Sequence, residues 1–117
     1  MLIVKPDPNN EANEIKVLNA YLDGSPCGFV RFKLNGYIIV ITELFPISGG
    51  ELSKENPDYV ILDTIIRALG SWGLNHSCFY VECSEPVLYP TLEALRFNVN
   101  DGKCKSDLSK ILSQCNG

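Results

Sequence analysis

The sequence predicts a single α+β domain over residues 1–117, a mixed sheet with helices packed on it. Three observations carry that expectation: an Asn35-Gly36 step between two β-rich runs, an amphipathic helical pattern over residues 58–73, and a strand followed by a short helix after it. With 45% hydrophobic and 21% charged side chains among 117 residues, the chain holds enough apolar material for one core and too little length for a second.

Taken in order, LIVK at 2–5 suits an edge strand, and Ile15, Val17, Ala20 and Leu22 suit a first main strand over 13–22. DGSPCG at 23–28 has the composition of a turn. GFVRFKL then sets Phe29, Val30, Phe32 and Leu34 around Arg31 and Lys33 before Asn35-Gly36, and YIIVITELF follows at 37–45. An Asn-Gly step between such runs predicts a hairpin, because both residues tolerate positive φ. The nearly continuous branched residues of 37–45 predict a strand covered on both faces.

Residues 46–57 read as a loop. Beyond it Ile61, Leu62, Ile65, Ile66, Leu69 and Trp72 recur at helical spacing, with Asp58 at the N-cap or first turn and Gly70 or Gly73 at the end. A strand is expected at 77–84, on which Cys78 and Cys83 would face opposite ways. A short helix at 87–97 has Pro90 in its first turn, where a missing N–H costs nothing. Asn100-Asp101-Gly102 is a turn, and Leu108, Ile111 and Leu112 line one side of a last short helix.

Composition excludes several function classes. Ten Lys and Arg against fourteen Asp and Glu give a net charge of −4. No basic run is longer than the Lys103, Lys105 pair, so a nucleic-acid footprint is not expected. The most apolar stretch, YIIVITELFPI, is interrupted by Thr42 and Glu43, too short for a spanning helix, and MLIVKP does not open a signal peptide. No membrane contact and a cytoplasmic location are the expectation. The five cysteines form no CxxC pair and have one histidine, His76, for company, so no metal site is expected. Their odd number speaks against a fully paired disulfide framework; they read as mostly small buried thiols, and His76 as a surface loop residue.

The order of elements, with GFVRF at 28–32, ITELFPI at 41–47, the helix ending near Gly73 and LYPTLEALRF at 88–97, resembles the core of the acyl-CoA N-acyltransferase (Gcn5-related N-acetyltransferase) superfamily over residues 15–98. The resemblance implies one N-acetyltransferase-like domain, a mostly antiparallel sheet flanked by helices. It lacks the usual N-terminal helical pair, for which the residues before the first strand are too few. The side where an acceptor would sit is then open or completed by another subunit.

Such proteins seat acetyl-CoA where a strand splays from its parallel neighbour, and the loop before the long helix presents N–H groups to the pyrophosphate. Here that implies the backbone at Leu44 and Phe45 for the pantetheine arm, and Lys54 and Asn56 for the phosphates. The family's loop glycines are replaced by Asn56 and Asp58, and Pro57 withdraws a donor, which weakens the usual pose. On the catalytic side the family's proton-donating Tyr falls on Leu92, leaving Tyr89, one turn earlier, as the substitute acid. Glu43 is the candidate base, with Glu82 and Glu85 behind it. The Gly common before the closing Phe is Arg96.

Three readings follow: a degenerate acetyltransferase-like domain that binds a protein partner or forms a homo-oligomer; an active N-acetyltransferase moving an acetyl group from acetyl-CoA to a primary amine; or an unrelated small α/β protein. Acetyl-CoA and no cofactor at all are equally compatible with these residues.

Overall fold

Three tight turns set the register of the sheet, each built on residues that take positive φ. The first is Asp23-Gly24 (φ 51° and 86°), which joins β2 (Lys16–Leu22) to β3 (Ser25–Asn35). Gly36 (φ 61°) opens the turn to β4 (Ile38–Phe45). Asp101-Gly102 (φ 51° and 73°) joins β6 (Asn98–Asn100) to β7 (Lys103–Asp107). Two consecutive positive φ values give the primed turn whose twist matches that of the flanking strands. The computed structural model describes residues 1–7, 14–46 and 55–113.

With β1 (Leu2–Pro6) and β5 (Tyr80–Cys83) the strands form one sheet in the order β1-β2-β3-β4-β5-β7-β6. Every neighbouring pair is antiparallel except β4 and β5. A parallel pair needs a crossover, supplied by α1 (Pro57–Asn75). The remaining helices, α2 (Tyr89–Ala94) and α3 (Leu108–Ser113), are short.

Several expectations need correction. DGSPCG is not one turn: Asp23-Gly24 alone reverses the chain, and β3 begins at Ser25, with a bulge opposite Ala20 and Tyr21 absorbing Cys27. The hairpin loop is Gly36-Tyr37, because Asn35 already pairs with Ile38. Cys78 precedes β5 and is buried like Cys83, so strand alternation does not separate them.

Gly70 and Gly73 do not end α1. Both are buried within it, and a Cβ on Gly73 would stand 2.6 Å from Ile39 Cδ1 and 2.7 Å from Leu108 Cδ1. The stop is Ser77, at φ 63°, where Ser77 N–H donates to Leu74 O and Cys78 N–H to Gly73 O at 2.8 Å, a paired closure that satisfies the last carbonyls. The same closure ends α2, with Phe97 N–H on Leu92 O and Arg96 N–H on Glu93 O, both 3.0 Å. Its left-handed residue is Arg96, at φ 76°, a conformation that glycine alone adopts without a Cβ penalty. Arg96→Gly is therefore expected to raise stability by about 1 kcal/mol, read from the urea midpoint.

All three helices sit on one face of the sheet. Val30, Phe32, Ile39, Ile41, Leu44, Val81, Cys83 and Cys104 point toward them and join Leu62, Ile65, Leu69, Leu92 and Leu108 in one cluster. Gly28 lets α1 approach: a Cβ there would meet Phe45 O at 2.7 Å and the Ile65 side chain at 3.0 Å. Phe29, Arg31, Lys33, Val40, Glu43 and Phe45 belong to the other face, on which no helix packs among the described residues. β4 is thus covered by helices on one face, not two. Residues 7–15 alone connect β1 to β2.

Candidate functional site

The pairing of β4 with β5 runs from Ile38↔Tyr80 to Ile41↔Cys83 and stops there. β5 ends at Cys83 and the chain turns off through a 3-10 turn at Pro86–Leu88, whereas β4 continues to Phe45 on its other neighbour, β3. From Thr42 to Phe45 one edge of β4 therefore has no strand beside it among the described residues. Leu44 and Phe45 lie on this edge. The Leu44 side chain is fully buried opposite Val30, and Phe45 stacks on Phe29 with ring centroids 5.8 Å apart.

The N-terminus of α1 faces the same end of the sheet. Asn56 is its cap, in extended conformation, and its Oδ1 accepts the N–H of Asp58 at 2.9 Å. Asn56 O accepts the N–H of Tyr59 at 2.9 Å. Pro57, the first helical residue, has no N–H to give. The leading donors of the helix are thus missing or already bonded within the chain, and Asp58 adds negative charge to the first turn. Asp58 is a first-turn residue and Asn56 is the cap, so the cap lies one of the two loop-glycine positions earlier. Lys54 lies outside the described residues.

Glu43 stands on the uncovered face. A bulge between β3 and β4 makes Thr42 the extra residue, so Arg31 pairs with Glu43 and donates to its Oε2 from Nη1 at 2.7 Å. The pair is about half exposed, and Arg31 also lies 5.1 Å over the Phe29 ring. Tyr89 lies on the far side of β5, where its hydroxyl donates to Gly102 O in the β6–β7 turn at 3.0 Å. Burial, together with nearby Cys83, Cys104 and Glu85, pushes its phenol above the usual range. Glu43 and Tyr89 are thus bonded in opposite directions, one toward β3 and the other toward β7, and the structure does not bring them together.

Sequence reasoning passed over two groupings. Cys83 and Cys104 face each other across β5 and β7. Burial raises both thiols, that of Cys104 to about 12, with Cys83 and Glu93 adding to the shift. The signal was KCKSD, whose alternation around Cys104 and Ser106 marks a strand once Asp101-Gly102 is taken as a hairpin turn. The second grouping is Trp72 and His76, one helical turn apart, with rings stacked at 3.9 Å and 14°. Among the described residues no three metal-ligating side chains gather, and no helix is long and apolar enough to cross a membrane.

No protein-family model matches the chain, and no curated protein sequence does. Solved structures do. The PaiA N-acetyltransferase from Thermoplasma acidophilum, solved with coenzyme A, superposes with a TM-score of 0.58 at 14% identity over 80% of this chain. This chain spans only 61% of that one. An aminoglycoside acetyltransferase solved with coenzyme A and kanamycin matches at TM-score 0.57 and 11% identity, covering 89% of this chain and 72% of that one. The IAA acetyltransferase from Bacillus cereus matches at TM-score 0.57 and 8% identity, over 92% and 99%. The fold is that of the acyl-CoA N-acyltransferases: a mixed seven-stranded sheet with flanking helices and one parallel pair that diverges.

Proposed function

We propose that this chain is a degenerate acetyltransferase-like domain, one that keeps the scaffold for binding and does not transfer acyl groups. The observation that carries this is the mouth of α1, where Pro57 lacks a donor and the N–H groups of Asp58 and Tyr59 are taken by Asn56. A pyrophosphate held by that helix would have to displace bonds the chain makes to itself and lie beside the Asp58 carboxylate. The residues at the mouth do not fit the usual pose of coenzyme A, and no acyl-transfer step is derived through it. Two further features support the reading. Glu43 is engaged by Arg31, and Leu92 occupies the place of the family's proton donor, with the Tyr89 hydroxyl committed to Gly102. A domain of this kind binds a protein partner or a second copy, for which the uncovered face with Phe29 and Phe45 offers the surface.

The second reading, an N-acetyltransferase acting on a primary amine, is favoured by the open edge of β4. That is where a pantetheine arm would pair with the backbone at Leu44 and Phe45, with Lys54 and Asn56 near the phosphates, Glu43 as base and Tyr89 as acid. Calorimetric titration with acetyl-CoA and desulfo-CoA under reducing conditions separates the two. No saturable heat at several temperatures is the expected result. One-site binding in the micromolar range, about −8 kcal/mol, would overturn it.

A further inference from the structure

On the helix side of the sheet, α1, the turn that closes α2 and α3 meet at a small notch, which Asp63, Arg67, Arg96 and Lys110 line together with apolar side chains. Three cations against one carboxylate leave an excess of two positive charges here, in a chain whose net charge is −4. No other carboxylate lines the notch among the described residues. We propose that it binds a small tetrahedral oxyanion of the phosphate type, with Arg67 and Arg96 as the direct donors.

Arg96 gives the first argument. It stands at φ 76°, where a glycine would close the helix without a Cβ penalty, and the two closing bonds of α2 hold it there. Backbone conformations that a residue rarely adopts collect at ligand sites. The Arg96 side chain is only partly exposed, and among the described residues it has no ion-pair or hydrogen-bond partner. Stability is thus forgone to keep an uncommitted guanidinium beside a second one.

Arg67 gives the second, from another element. Asp63 Oδ2, one turn earlier on α1, lies 3.1 Å from Arg67 Nε. It is off the line of the N–H, so Nε is buried without a hydrogen bond. Buried donors are nearly always satisfied, and an orphan one points to an acceptor from outside the chain. The notch itself measures about 10 Å³, room for one water-sized atom: a single oxygen of an anion whose other oxygens stay at the surface. Arginine's planar fork of donors suits such oxygens. Two arginines from different elements suit a tetrahedral ion, whose oxygens point in different directions, better than a single flat carboxylate. Lys110 already has a partner within the chain and adds charge, not a free donor. Asp63 opposes an anion, but its charge is offset by Arg67. None of these residues belongs to the mouth of α1 or to the open edge of β4, so binding here and binding of coenzyme A succeed or fail separately.

Amide and arginine Nε–H chemical shifts of the whole chain are followed as orthophosphate is added at constant ionic strength, with chloride as the control and O-phosphoserine as the ester. A saturable response to phosphate, half-complete on the order of 1 mM, centred on Arg67 and Arg96 and missing with chloride, is the expected result. Tighter binding of phosphoserine assigns the site to esters and equal binding to the free ion, and either supports it. Arg96→Gly should raise the half-saturation about tenfold, the effect of losing a charge-assisted hydrogen bond, while raising the urea midpoint. Arg96→Gln keeps a side chain at the positive φ but lacks the charge, so it should lose binding to the same degree with no gain in midpoint. A linear response, or one to chloride as strong as to phosphate, overturns the site. Shifts centred on residues 56–59 would put the anion at the mouth of α1 and overturn it as well. Titrations unaltered in both variants would remove Arg96 from the site.

Discussion

Phe32→Ala is expected to cost about 3–5 kcal/mol, a large part of the stability a domain of this size has to lose. The ring is fully buried on β3, contacts Trp72 and forms part of the floor of a cavity beneath α1. Removing it enlarges an existing void at a place where the sheet cannot collapse, because Lys16 and Ile41, its two cross-strand partners, are held in register on both sides. Urea unfolding measures the loss, and the emission of Trp72 should move to the red as water reaches the indole. Phe45→Ala is the contrast. That ring is 49% exposed and, among the described residues, stacks on Phe29, so its removal should cost only about 0.5–1.5 kcal/mol. Equal losses at the two positions would mean that the uncovered face is not solvated as the structure has it.

Alkali should destabilise the fold through Cys104. Burial and the neighbouring Cys83 and Glu93 push its thiol up to about 12, whereas an unfolded chain ionises its cysteines near about 8.5. Between those two values the unfolded state releases a proton that the folded state retains, so stability is full below the lower one and declines as pH rises toward the upper. The slope attributable to this group approaches about 1.4 kcal/mol per pH unit. Urea midpoints measured from neutral pH to strongly alkaline pH should fall, and Cys104→Ala should flatten that fall while lowering the starting value. A variant whose midpoint declines as steeply as the parent's would remove Cys104 from the account. Cys83, raised by the same burial, contributes in the same direction.

Much of the architecture could be read from local chemistry. Asp-Gly and Asn-Gly steps announced the reversals, and the spacing from Ile61 to Trp72 announced α1, because these signals depend on φ and on helical periodicity within a few residues. Gly73 misled for a physical reason: glycine at a helix end and glycine under a tight helix–sheet contact look identical in sequence, and only the positions of Ile39 and Leu108 distinguish them. The bulge at Thr42 was likewise hidden. Counting back from the Gly36-Tyr37 turn pairs Arg31 with Thr42, and a single extra residue brings Glu43 to the arginine instead. β6 and β7 escaped because three to five residues rich in Asn and Lys carry little strand propensity of their own and are ordered by what they pair with. At the mouth of α1 the residue types were visible but their bonds were not. Asn56, Pro57 and Asp58 already suggested a helix start poor in donors, and the geometry adds which N–H each oxygen takes.

The brevity of the β1–β2 connection has an architectural consequence. Nine residues, 7–15, lie between those strands, and the described residues form two layers, one of sheet and one of helices. Lengthening a connection is thermodynamically mild, roughly 0.6 kcal/mol for each doubling of its length. An amphipathic helical hairpin inserted there would meet Phe29 and Phe45 as a docking surface already in place. A layer can therefore be added to or removed from this sheet without disturbing the register of a single strand, and the β1–β2 connection is the natural insertion point for building on it.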